Sequence, residues 1–337
     1  MKQVLSFFAL LLFISCNNEH EFVEKFSKVD DFKVYGDFHN EIVGAFVGRS
    51  ELKSQLYSLK NENDVADCIY EFAIDRKIFS DFNPFKNEEE LHALLFDNKN
   101  LYNFARIEEN EISSKFRVKS LSSLNDSELY DVLEKDSIEI SSKEDFDVIL
   151  DFAVRHGVID DKSRMYLSEL FDIVDQGLKS KIDGYELNAQ LSTLVSKIDS
   201  ENFATSSNCI RTVAPPTAIA NASYSLWTDT IKSQIVDLYP ALEKEKVDSI
   251  TQALVPPFVA SDAGGAIVGA VSNAYGQWKK NGKITSWGSI GSSAAASAVL
   301  SSIGMDTKLG KALFNILKPG WKACENVFWK IVFKLWK

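Results

Sequence analysis

Four cysteines and four histidines among 337 residues are few, and each scarcity closes a class of protein. Cys16, Cys68, Cys209 and Cys324 stand far apart and form no CxxC, which excludes a disulfide-stapled scaffold. His20, His39, His92 and His156 include no HExxH and no pair three or four residues apart, so no metal ligands and no cofactor are expected. GxSxG, GxxxxGK[ST] and a strand-borne GxGxxG are all missing. Asp183-Gly184 opens in the manner of a calcium loop, but the remaining ligands do not follow. Gly282-Lys283-Ile284-Thr285 lacks the earlier glycine of a phosphate loop. His39-Asn40 is the tempting general base; a buried, hydrogen-bonded histidine is the reading we adopt. No catalytic residue is assigned. A formal net charge of −11 argues against nucleic acid as a partner.

What is present begins at the first residue. Lys2 is followed by an apolar run from Val4 to Ile14 and then by Ser15 and Cys16, the order of a secretory signal. The run is too short to span a bilayer of roughly 30 Å. Cysteine at the cut site resembles the lipobox of bacterial lipoproteins, with Phe13 where most carry leucine. The resemblance implies acylation at Cys16 and an extracytoplasmic, membrane-tethered chain. Asn17 is not the aspartate that retains lipoproteins in the inner membrane of enteric bacteria, which favours the outer membrane.

Helical spacing dominates the body, and the expected fold class is all-α, an antiparallel array of short helices. Ser142-Lys143-Glu144-Asp145 reads as a capping box, with Phe146, Ile149, Leu150 and Ala153 after it and Gly157 as C-terminal cap. Leu167, Leu170, Phe171 and Val174 repeat the spacing before Gly177, and Leu187, Leu191, Leu194, Val195 and Ile198 repeat it again. Pro215-Pro216 is expected to break the chain, with Pro216 in the first turn of the next helix. Pro256-Pro257 is read as a further break. Lys115 to Lys119 alternates like a strand, too little to build a sheet.

Beyond Pro257 the composition changes. Gly265 and Gly269 form GxxxG, Lys279-Lys280-Asn281-Gly282-Lys283 makes a polar turn, and residues 284–305 carry no charge. Gly288, Ser292 and Ala296 are spaced by four, as are Gly291 and Ala295, which lets two helix backbones approach closely. A tight helical hairpin is expected. In the tail, Lys318, Lys322, Asn326, Lys330 and Lys334 form one polar stripe, leaving Trp321, Phe328, Trp329, Val332, Phe333 and Trp336 around the rest of a helix. Five of the six tryptophans lie from Trp278 onward. From residue 263 to the end, ten lysines against Asp306 and Glu325 give +8, leaving −19 for the residues before.

Three blocks, Tyr35-Gly36-Asp37-Phe38-His39-Asn40, Ala218-Ile219-Ala220-Asn221-Ala222-Ser223-Tyr224-Ser225-Leu226-Trp227 and Ser261-Asp262-Ala263-Gly264-Gly265-Ala266-Ile267-Val268-Gly269-Ala270, together resemble an uncharacterised group of lipoproteins frequent in bacteria of the Bacteroidetes kind. The resemblance implies a helical, membrane-tethered protein with a glycine-zipper-like C-terminal segment, and it implies no reaction.

These readings divide the chain into a signal (1–15), a polar tether (16–33), an acidic helical domain (34–257), a glycine-rich hairpin (258–305) and a basic, tryptophan-rich amphipathic tail (306–337). The expected function is non-catalytic, with membrane or partner contact through Gly265, Gly269, Gly288, Trp321, Lys322, Trp329, Lys330, Lys334 and Trp336. The competing readings are a soluble helical enzyme on a lipid tether and a pore-forming or bacteriocin-like effector. No protein partner can be named from the sequence.

Overall fold

The computed structural model describes residues 26–47, 59, 62–78, 84–99, 125, 129, 143–179, 181–201, 207–238 and 240–312. Among them no strand occurs, and the fold is all-α, as the periodicity predicts. A short 3-10 turn, Val29–Phe32, leads into α1 (Lys33–Val47). Then come α2 (Glu62–Asp75), α3 (Glu88–Asp97), α4 (Lys143–Arg155), α5 (Asp161–Leu178) and α6 (Gly184–Ser200). Three long helices follow, α7 (Ser207–Leu238), α8 (Lys244–Asn281) and α9 (Trp287–Ala312).

Local chemistry sets the shorter helices. Asn87, Asp160 and Asp183 cap α3, α5 and α6 by accepting from the backbone N–H three residues on, at 2.8, 2.7 and 2.9 Å. Asp183 is therefore a helix cap, which accounts for the fragment of a calcium loop seen in the sequence. Gly157 ends α4 with φ +69°. Its N–H donates to Val154 and that of Val158 to Ala153, at 2.9 and 2.8 Å, the paired bonds of a Schellman cap. The buried faces are the expected ones: Phe146, Ile149, Leu150 and Ala153 on α4, Leu167, Leu170 and Val174 on α5, and Leu187, Leu191, Leu194 and Ile198 on α6. Ser142 and the strand-like stretch near Lys115 lie outside the described residues.

Two expectations fail for a packing reason, and Gly177 shows the same cause. Gly177 is not a cap, since α5 continues to Leu178. The missing side chain instead admits α8: a Cβ at Gly177 would lie 3.3 Å from the carbonyl oxygen of Pro256 and 3.5 Å from Ala260. Neither proline pair breaks the chain, because Pro215-Pro216 lies inside α7 and Pro256-Pro257 inside α8. Proline removes a helical donor and normally kinks or stops a helix. Here burial on both sides outweighs that loss. Val213, Ala214 and Thr217 are buried around the first pair and Val255 and Phe258 around the second. The Thr217 hydroxyl also donates to the Val213 carbonyl at 2.8 Å. As a result, the boundary drawn at residue 257 falls within a continuous helix.

Helices α8 and α9 form the expected hairpin. Gly282, at φ +69°, ends α8, and the Gln277 side chain clasps the turn. Its oxygen accepts from the Thr285 and Ser286 N–H groups at 2.9 and 2.7 Å, and its amide nitrogen donates to the Ser286 carbonyl at 2.7 Å. Every residue from 290 to 303 is buried, which makes α9 a central helix packed by α1, α3, α7 and α8. Among the described residues α8 is the one helix long and apolar enough to cross a membrane, with mean hydropathy 1.5 over its best window, 78% of which is buried within the protein.

Candidate functional site

The middle of this apolar hairpin holds a carboxylate. Asp262 is the only acidic residue between Asp248 and Asp306, and it is fully buried. An ionised carboxylate in such a place is tolerated only if donors surround it. Three do so. Ser223 donates to Oδ2 at 2.5 Å, the Trp227 indole N–H donates to the same oxygen at 2.7 Å, and Ser302 donates to Oδ1. Ser302 also bonds His39 Nε2 at 2.8 Å, and His39 Nε2 lies 3.4 Å from Asp262 Oδ2. His39, Ser223, Asp262 and Ser302 have no exposed surface, and Trp227 is 2% exposed. His39 is thus buried and hydrogen-bonded, as expected.

The cluster joins four helices: α1 through His39, α7 through Ser223 and Trp227, α8 through Asp262 and α9 through Ser302. Local packing brings them together. A Cβ at Gly36 would lie 2.6 Å from the Ala222 Cβ, so α1 and α7 meet nearly backbone to backbone. At Gly265 it would lie 2.7 Å from Ser301 Cβ, and at Gly269 2.7 Å from Ser297 Cβ. The α8 glycines therefore face the serine row of α9, at 293, 297 and 301. This is not the row of Gly288, Ser292 and Ala296 that the spacing suggested. Gly291 and Gly288 meet Tyr35 instead, whose hydroxyl donates to the Gly288 carbonyl at 3.4 Å. Burial pushes the Tyr35 hydroxyl well above the usual tyrosine range, and the nearby Glu90 charge adds to the effect.

Hydrogen counting defines the state of the cluster. Asn40 donates through Nδ2 to the Ala222 carbonyl at 2.9 Å, so its oxygen accepts from His39 Nδ1–H at 2.9 Å. The one hydroxyl hydrogen of Ser302 serves either Asp262 or His39 Nε2. In the first case Nε2 must itself carry a proton. In the second, Asp262 must carry one to reach Ser302. Both arrangements are neutral overall and contain one proton shared along Asp262, Ser302 and His39.

The residue types are those of an acyl-transfer triad, but the order is not. The hydroxyl sits between imidazole and carboxylate, and the far ring nitrogen faces Asn40 rather than an acid. With every atom sealed, this arrangement locks helices together.

The three sequence blocks meet here, supplying His39 and Asn40, Ser223 and Trp227, and Asp262. Of these side chains the sequence singled out His39 with Asn40, and gave no role to Ser223, Trp227 or Asp262. The legible signal was a lone aspartate in a small-residue apolar run. Gly265 and Gly269 are buried between α8 and α9, facing the protein's own helix, and Gly288 is half-buried against Tyr35. Cys16, Trp321, Lys322, Trp329, Lys330, Lys334 and Trp336 lie outside the described residues.

Other polar groups are arranged on the surface. His92 bonds Asp67 at 2.8 Å, half-exposed. Lys143 links Ser168, Asp147 and Asp172 at 2.8, 3.2 and 3.2 Å. An open groove between α5 and α6 is lined by Glu169, Asp172, Gln176, Glu186, Gln190 and Thr193. Glu169 is engaged there by Lys197 and Asp172 by Lys143. No group of three metal-ligating side chains occurs among the described residues. Compared with protein families, with curated proteins and with solved structures, the chain matches none.

Proposed function

We propose that this chain is a lipid-anchored, extracytoplasmic helical protein without catalysis, tethered through Cys16, whose C-terminal third contacts a membrane or a partner helix. The observation that carries the non-catalytic half is the sealing of His39, Asp262 and Ser302, all without exposed surface. A reacting group needs a concave site that admits substrate, and this conjunction admits none. The anchoring half rests on the first sixteen residues and on the resemblance to bacterial lipoproteins, with the outer membrane as the favoured location. Metabolic labelling with a fatty acid tests it. The expected result is label on the wild-type protein in the membrane fraction and none on Cys16→Ser. An unlabelled wild type with a mature N-terminus elsewhere would overturn the anchor.

One observation favours a second reading, a pore-forming effector. Residues 290–303 of α9 are buried and uncharged, wrapped by other helices. A helix of this composition also suits an apolar medium, and small residues support helix pairing there. Release of an entrapped dye from vesicles by nanomolar protein is its signature. Intact vesicles at micromolar protein exclude it.

A further inference from the structure

We propose that the turn joining α8 and α9 is the face that docks on the membrane, with Lys279, Lys280 and Lys283 on anionic lipid headgroups and Trp278 and Trp287 at headgroup depth. The proposal rests on the tethered reading above and names the surface involved.

Five contacts place the start of the described residues at the turn end of the hairpin. The Val29 N–H donates to Asp199, near the end of α6, at 2.8 Å. Glu201, just beyond α6, binds Lys162 and Tyr166 near the start of α5, at 2.6 and 2.7 Å. The link before α5 carries His156, whose ring lies 5.5 Å from that of Trp278, beside the turn. Tyr35 reaches Gly288 at the start of α9. Twelve residues lie between Cys16 and Val29, a reach of at most about 45 Å when fully extended. An acylated Cys16 therefore holds this end within that distance of the lipid surface and raises the effective concentration of what lies on it.

The chemistry of that end fits an anionic surface. The three lysines are exposed, in a chain whose net charge is −11. No acidic residue lies between Asp262 and Asp306. Glu201 at this end is paired with Lys162, and Asp199 and Asp160 accept backbone N–H groups from Val29 and Ser163. Trp278 and Trp287 flank the turn half-buried, with the Arg211 guanidinium 5.8 Å from the centre of the Trp287 ring. Tryptophan beside lysine is the usual composition of a protein surface at the headgroup level. Helix α9 extends about 39 Å from the turn at 1.5 Å per residue, so the basic tail beyond it starts from the opposite end. Turn and tail can be tested separately.

The test uses residues 17–337, the mature chain without its acylated cysteine, sedimented with phosphatidylcholine vesicles with or without phosphatidylglycerol. Binding should require phosphatidylglycerol and weaken as salt rises. The triple variant Lys279→Gln, Lys280→Gln, Lys283→Gln should bind at least about tenfold more weakly at low salt, while remaining folded by circular dichroism. Brominated lipid should quench emission from a chain in which Trp321, Trp329 and Trp336 are replaced by phenylalanine, the remaining Trp227 being buried away from any lipid. Undiminished binding of the triple variant, binding to phosphatidylcholine alone, or absence of quenching overturns the turn as docking face. If binding is then lost in Trp321→Ala, Trp329→Ala, Trp336→Ala, the C-terminal third still contacts the membrane through its tail. If the wild type binds neither kind of vesicle, membrane contact by the C-terminal third fails with it.

Discussion

His39 and Asp262 lie 3.4 Å apart with no exposed surface on either, and the hydroxyl of Ser302 bonds both. Removing the carboxylate leaves the Ser223 hydroxyl and the Trp227 indole N–H buried without the acceptor they share. Asp262→Ala should therefore destabilise by about 3–5 kcal/mol, the range for breaking a buried charged network. In a double-mutant cycle with His39→Ala the two losses should fall well short of additive. Urea denaturation reads both. A loss under about 1 kcal/mol, or strict additivity, would mean that the cluster does not act as a unit.

The two glycine environments on α8 make a paired prediction. At Gly265 a Cβ would press on Ser301 and on the Ser297 carbonyl, whereas at Gly276 nothing lies within 4 Å. Gly265→Ala should destabilise by about 1–3 kcal/mol through overpacking. Gly276→Ala should stabilise by up to about 1 kcal/mol, since alanine is the better helix former. Thermal melts of the two variants should move in opposite directions, and Gly269→Leu should fall further than either. Equal shifts would remove the close approach of α8 and α9 as the reason for glycine.

Leu170 on α5 is fully buried, and Leu170→Ala should cost about 2–5 kcal/mol by leaving a cavity. Chemical denaturation with unchanged cooperativity is the expected form of the result. A loss below about 1 kcal/mol would show that the α5 face relaxes to fill the space.

Tyr35 sets an alkaline limit. Burial and Glu90 hold its hydroxyl above the ordinary range, so the folded protein keeps this proton where the unfolded chain has lost it. The contribution is complete below the unfolded value of about 10 and is lost as pH rises beyond it. Tyr35→Phe should melt slightly below wild type near neutrality, having lost the bond to Gly288, and should lose less stability between pH 9 and 11. Parallel pH profiles would show that Tyr35 does not carry the alkaline loss.

How much of this was legible depended on whether local chemistry or packing decided. The caps at Asp160, Asp183 and Gly157 follow from side chains a few residues apart, and the small-residue hairpin follows from spacing. Pro215, Pro216, Pro256 and Pro257 misled because local propensity forbids what burial on both sides enforces. At Gly177 a glycine admitting a neighbouring helix and a glycine ending its own helix look alike in one dimension. The cluster was half legible. A lone Asp262 in an apolar run must find partners, but which of the many serines would meet it depends on how α1, α7 and α9 cross.

The bond between His39 and Ser302 spans 263 positions of sequence, and it joins the first described α-helix to the last. During synthesis the chain emerges from its N-terminus, so α1 waits with an apolar face uncovered until α9 has been made. Contacts this distant slow the search for the native state and lengthen the time in which exposed surface can find a wrong partner. The same bond that seals the finished core makes a truncated or stalled chain conspicuous, since any product ending before Ser302 leaves the buried His39 without that partner.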